Sequence, residues 1–185
     1  MELLDRAQQW ADHDPDGRTA AALSASVAAA RGGDAAALEE VAAAMAGPLE
    51  FGTAGLRGRM GPGESRMTLA VVIRATAGLC AFLTGAIDRA PRVVIGCDAR
   101  HGSVDFALAA ARVASAAGCH VLKLPPMNPT PLTAFSMRHL DADAGIMVTA
   151  SHNPAMDNGY KVYLGGAVVA GAGQGVQIVP PYDAE

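Results

Sequence analysis

Gly145-Ile146-Met147-Val148-Thr149-Ala150-Ser151-His152-Asn153-Pro154, continuing through Asp157-Asn158-Gly159-Tyr160-Lys161, is the stretch that decides how this chain folds. The apolar run Ile146 to Val148 predicts a buried strand, and Asn153-Pro154 is a turn signal that ends it. A serine, a histidine, two asparagines and a lysine crowd just past the strand end. In open α/β sheets ligands gather outside the carboxyl ends of the strands, so Ser151 is the first nucleophile candidate.

Working outward, Arg92 to Cys97 is a continuous apolar segment of the kind buried on both faces of a sheet. It runs into Asp98-Ala99-Arg100-His101-Gly102, after which Ser103 is placed to cap a helix ending at Gly118. Cys119 to Leu124 predicts another strand, and Leu132 to His139 a short helix. Before these, Thr68 is placed to cap an amphipathic helix with Leu69, Val72, Ile73, Leu79, Leu83 and Ile87 on one face. A β-α-β-α-β order predicts a layered α/β domain with helices on both faces of the sheet. Beyond Lys161, the small, glycine-rich segment 164–175 reads as a loop or loose hairpin, and Val176 to Val179 as a short strand stopped by Pro180-Pro181. With no closing helix before Glu185, an α/β domain ending there looks cut off.

Residues 2–46 read as helical throughout. Leu3, Leu4, Ala7 and Trp10 make one apolar stripe. Asp12 to Gly17 interrupts it, Thr19 is a candidate cap for a second helix to Arg31, and Asp34 for a third. This gives residues 1–48 as an N-terminal helical extension and 49–185 as the α/β domain. Between them, Phe51-Gly52-Thr53-Ala54-Gly55-Leu56-Arg57-Gly58-Arg59-Met60-Gly61-Pro62-Gly63 suits a backbone approached closely by an anion, with planar guanidinium donors nearby. A flexible connector explains the same glycines.

The 185 residues suffice for one domain burying roughly 70% of its unfolded surface. Although 51% of them are hydrophobic, polar residues break every long run, so no transmembrane helix or membrane partner is expected. A net charge of −4 argues against a nucleic-acid surface. Cys80, Cys97 and Cys119, none in a CxxC pair, predict reduced thiols in a cytoplasmic protein; each also reads as a small buried hydrophobe.

Three polar clusters follow buried elements: Arg57 with Arg59; Asp98, Arg100 and His101; and Ser151, His152, Asn153, Asn158 and Lys161. Brought together, they offer a hydroxyl, guanidiniums, an ammonium and amides. Phosphoryl transfer needs that inventory, since its catalysis is mostly positioning and charge neutralisation. An acyl-transfer triad fits less well, because no G-x-S-x-G elbow is present.

Thr149-Ala150-Ser151-His152-Asn153-Pro154 with Asp157-Asn158-Gly159-Tyr160-Lys161 resembles the active-site segment of the alpha-D-phosphohexomutases, the phosphoglucomutase/phosphomannomutase enzymes. Phe51 to Gly58 resembles their N-terminal arginine loop, and Gly96-Cys97-Asp98-Ala99-Arg100 their G-x-D-x-R segment. Met60 to Gly63 and the helical leader are similar to the phosphoglucomutase-2 and phosphopentomutase branch. The resemblance implies a three-layer first domain with a mixed β-sheet between helices. It implies that Ser151 is the phosphoserine, exchanging a phosphoryl group with a sugar phosphate through a sugar bisphosphate. Arg57 would neutralise phosphate, His152 would contact the phosphoryl region, and Lys161 would serve near the reacting oxygens. Asp98, Arg100, Asn153 and Asn158 would complete the phosphate-binding set. The implied cofactor is Mg2+, with Ser151 as one ligand. The family's D-G-D-x-D-R metal loop and its sugar-recognition and last phosphate-binding loops, which lie in three further domains, are absent. The alternative is an inactive fragment or phosphosugar-binding module that keeps the fold.

Overall fold

A computed structural model describes residues 2–52, 55–169 and 174–178. The N-terminal segment forms three helices, α1 (Leu3–His13), α2 (Gly17–Arg31) and α3 (Ala35–Ala44). They bury Ala7, Ala11, Leu23, Val27, Val41 and Met45 against one another, with Leu3, Leu4 and Trp10 at the margin. Asp34 caps α3 by accepting from the Ala36 and Ala37 amides. The cap of α2 is Asp16, which accepts from the Arg18 amide, and not Thr19. Thr19 already lies in the helix, and its hydroxyl donates to Asp14 Oδ2 at 2.7 Å. Ser65 ties the exit of α3 to the α/β domain, donating its hydroxyl to the Gly47 carbonyl at 2.6 Å.

The remaining elements are β1 (Leu56–Arg59), α4 (Leu69–Ala86), β2 (Arg92–Cys97), α5 (Ser103–Ala116), β3 (His120–Lys123), α6 (Thr130–His139), β4 (Ala144–Val148) and β5 (Asp157–Leu164). The five strands make one mixed sheet in the order β1-β5-β4-β2-β3. β2 pairs in parallel with β3 and β4, while β5 runs antiparallel to β4 and β1. Period-two alternation sorts the side chains. Val93, Ile95, Cys97, Ile146, Val148, Tyr160 and Val162 pack beneath α4 and α5. Val94, Met147 and Tyr163 face the other way, against Met137 of α6. The expected three layers are therefore present.

By length and apolarity alone α4 could cross a membrane, with a mean hydropathy of 1.8 over 18 residues. Its Val72, Thr76, Leu79, Cys80 and Leu83 are instead buried, and the Thr76 hydroxyl lies 2.9 Å from the Tyr160 hydroxyl on β5.

Part of the glycine-rich stretch is a strand rather than a connector. β1 has a single buried apolar side chain, Leu56, and is held by its backbone ladder to β5. Gly55 allows this, with φ at +81° and no room for a Cβ, which would sit 2.4 Å from the Tyr160 carbonyl oxygen. The strand expected at 176–179 is reduced to an isolated bridge, Gln177 with Tyr163; Val179 and residues 170–173 of the expected loop lie outside the described residues.

Candidate active site

The site is built where β4 ends. Asp98 follows β2, and its amide donates to the Val148 carbonyl at 3.1 Å, so the two parallel strands release their loops side by side. The chain turns through Ser151, which is exposed and has φ at +57°. A non-glycine residue in the left-handed region is uncommon and needs its surroundings to hold it there. It then returns as β5, so that Met147 pairs with Lys161 and the Thr149 amide donates to the Gly159 carbonyl at 3.0 Å.

Arg100 holds the turn shut. Its guanidinium donates to the carbonyls of Ser151 (2.9 Å), Asn153 (2.7 Å), Pro154 (2.7 Å) and Asp157 (3.0 Å). Its Nε lies 3.4 Å from Asp98 Oδ2. A guanidinium has five N–H donors, and the four on its two terminal nitrogens all have carbonyl acceptors in the turn. Asp98 is similarly occupied, accepting from the Arg100 amide at 3.0 Å, Ser103 Oγ at 2.7 Å and Thr149 Oγ1 at 2.6 Å. Asn158 is fully buried; its amide group donates to the His101 carbonyl and to Ser103 Oγ, and its Oδ1 accepts from the Gly159 amide. These three residues, expected to bind phosphate, face the loop framework.

Ser103 is not the cap of α5. Gly102, in the left-handed region, occupies that position, and the Ser103 hydroxyl is drawn inward to Asp98. Thr149 went unassigned in the sequence, although its hydroxyl accepts from the Ser151 amide at 2.9 Å. A threonine two residues before Ser151 is the spacing of a side-chain turn, and that was the available signal.

Arg57 and Lys161 belong to the same face of the sheet, because Arg57 pairs with Gly159, two residues before Lys161. Arg57 Nη1 donates to Asn153 Oδ1 at 3.2 Å, spanning 96 residues. Asn153 in turn donates to Asp157 Oδ2 at 2.9 Å. Among the described residues, the buried Arg57 Nε has no acceptor. Lys161 is half-buried, and desolvation, then the nearby Arg57 charge, lowers its pKa from the usual lysine value. His152 is exposed beside Ser151.

The geometry thus sets an exposed hydroxyl on a clamped turn, with a guanidinium and a destabilised ammonium on the adjacent strands. That arrangement suits an anion. Residues 48–181 match the family model of phosphoglucomutase/phosphomannomutase, alpha/beta/alpha domain I. The chain belongs to that family.

Among its relatives, human phosphopentomutase is 40% identical over 153 residues, covering 78% of this chain and 24% of that protein. Phosphoribomutase of Saccharomyces cerevisiae is 43% identical over 138 residues, covering 73% and 21%. A crystal structure from Thermus thermophilus, provisionally a phosphomannomutase, aligns with a TM-score of 0.63 at 32% identity, covering 75% of this chain and 28% of that one. The chain thus spans about a quarter of the length of these phosphosugar mutases.

Proposed function

We propose that this chain is the phosphoserine-bearing domain of a phosphohexomutase or phosphopentomutase, an isomerase interconverting sugar 1-phosphates with 6- or 5-phosphates. The observation that carries the reading is Ser151 itself, exposed in a left-handed turn whose Asn153 accepts a bond from Arg57. In this mechanism Ser151 Oγ attacks a phosphoryl group of a sugar bisphosphate. The Oγ–P bond forms as the P–O bond to the sugar breaks, and the hydroxyl proton ends on the released sugar oxygen. Reversal onto the other position completes the isomerisation. Arg57 neutralises the transferring oxygens, with Asn153 orienting it. Lys161, its ammonium already disfavoured, is the group placed to pass the proton. His152 and Asn153 border the phosphoryl group, while Asp98, Arg100 and Asn158 support the turn.

Mg2+ would add charge neutralisation at the phosphate oxygens. Among the described residues no three His, Cys, Asp or Glu side chains converge on a metal position. These residues do not make a Mg2+ centre; Ser151 would contribute a single ligand. The second reading is an inactive fragment or phosphosugar-binding module that keeps the domain I fold. Pentose phosphates enter the substrate range through the phosphopentomutase and phosphoribomutase relatives, and the setting we propose is the cytoplasm.

The deciding experiment follows radiolabelled phosphate from a sugar bisphosphate onto the protein. Label should map to Ser151 and disappear in Ser151→Ala. Label retained by the alanine variant would refute the assignment.

A further inference from the structure

We propose that Thr149 is a positioning residue, a hydroxyl relay that sets the backbone of Ser151 from Asp98; this rests on Ser151 being the phosphoryl acceptor. The Thr149 side chain is buried, 2% exposed. A threonine hydroxyl has one proton to donate and lone pairs to accept. Thr149 donates its proton to Asp98 Oδ2 at 2.6 Å and accepts the Ser151 N–H at 2.9 Å. The direction is settled by the partners, since a backbone amide can only donate.

Asp98 is itself fixed from below. Ser103 Oγ, fully buried, donates to Asp98 Oδ1 at 2.7 Å and accepts from Asn158 Nδ2 at 3.0 Å. A continuous path of hydrogen bonds therefore runs from β5 through Asn158, Ser103, Asp98 and Thr149 to the amide of Ser151. Its last link meets the residue whose backbone sits at φ +57°. Arg100 grips the other end of that residue, at the Ser151 carbonyl, at 2.9 Å. With both polar backbone groups of Ser151 tied down, Oγ is presented in a set direction rather than swept over a range of turn conformers. The relay touches neither sugar nor phosphate, so it acts through Ser151 alone.

Two substitutions separate the relay from simple packing. Thr149→Val keeps the shape, removes both hydrogen bonds and strands the Ser151 amide. Thr149→Ser keeps the hydroxyl and removes only a methyl group. The readout is the single-turnover rate of Ser151 labelling from a sugar bisphosphate in the full chain, with the bisphosphate concentration dependence and the folded fraction by circular dichroism. Thr149→Val should slow labelling on the order of 10- to 100-fold, as a nucleophile misplaced by a fraction of an ångström does. The concentration dependence should hold, and Thr149→Ser should restore most of the rate. A wild-type rate in Thr149→Val overturns the proposal, and so does a Thr149→Ser variant as slow as the valine. If the valine variant is not folded at the assay temperature, Thr149→Ala is compared with Thr149→Ser on the same criteria. Ser151→Ala run alongside separates the two ideas: label in that variant refutes the nucleophile itself, whereas a silent Ser151→Ala with a fast Thr149→Val refutes the relay only.

Discussion

Replacing Gly159 by alanine should damage both the sheet and the site. A Cβ there would lie 2.6 Å from the carbonyl oxygen of Leu56 and 2.6 Å from that of Thr149, with Arg57 Cγ at 3.1 Å. Both oxygens are main chain, on opposite sides of β5, and neither can swing away. Carbon–oxygen contacts relax at about 3.3 Å, so each flanking strand must retreat by about 0.7 Å. Overpacking of this kind costs about 1–3 kcal/mol. At about 2–4 °C per kcal/mol for a domain of this size, melting should fall by roughly 2–12 °C. Gly145 on β4 is the matched control, because the nearest atoms its Cβ would meet belong to the Met137 side chain, at an ordinary 3.4–3.5 Å. Thermal melts by circular dichroism should therefore place Gly159→Ala well below Gly145→Ala, which should lose less than about 1 kcal/mol. The retreating strands carry Arg57 and Thr149, so Ser151 labelling should slow in Gly159→Ala as well. Equal melting of the two alanine variants would refute the steric reasoning.

The buried Asp143 carboxylate takes two guanidinium bonds from Arg89, at 2.7 and 2.8 Å, and the Arg92 amide at 2.7 Å. Burial opposes its charge, but the Arg89 and Arg92 bonds win and hold its pKa below the usual 3.8. A depressed carboxylate stabilises above its unfolded pKa and loses that stability as pH falls through the folded value. Melting should thus stay level from neutral pH down to about 5 and drop below about 4; Asp143→Asn should cost about 1–3 kcal/mol at pH 7 and flatten the acid drop. A steep drop retained in the asparagine variant would assign it elsewhere. Arg57→Ala should move the Lys161 limb of the labelling-rate pH profile toward alkaline pH, since the guanidinium is one cause of the lowered lysine pKa; an unmoved limb would remove Lys161 from proton transfer. Burial first, then the neighbouring Cys119 thiol, pushes the Cys80 pKa up to about 12, and all three cysteines are free and buried. A disulfide reagent at pH 8 should leave the folded chain unmodified and label all three thiols in denaturant; fast labelling of Cys80 under native conditions would contradict its burial.

The central strands were legible because apolar runs such as Val93–Ile95 and Ile146–Val148 are buried on both faces and carry that in their composition. β1 was not, for its pairing lies in backbone groups that every residue possesses. The start of α6 was set too late, at Leu132, because Pro131 reads as a breaker. Within a first turn, where no N–H has a helical partner, proline costs nothing, and the helix begins at Thr130. The caps at Thr68 and Asp34 rest on local bonds and could be read directly. Ser103 could not, since its hydroxyl has a tertiary partner five residues back. For the site, residue types disclosed an inventory of cations around Ser151. How the cations are used was decided by the fold: register leaves Arg57 and Lys161 on one face, while four carbonyls of the Ser151 turn claim Arg100.

That grip of Arg100 on carbonyls also governs how freely the turn can vary. Pro154, Ala155 and Met156 are exposed, and what Arg100 holds at Ser151, Asn153, Pro154 and Asp157 is main chain. The clamp is indifferent to the side chains at Ala155 and Met156, so those positions form a tolerant window within an otherwise exacting loop. Substitutions there would change what the loop displays beside Ser151 without redrawing the turn.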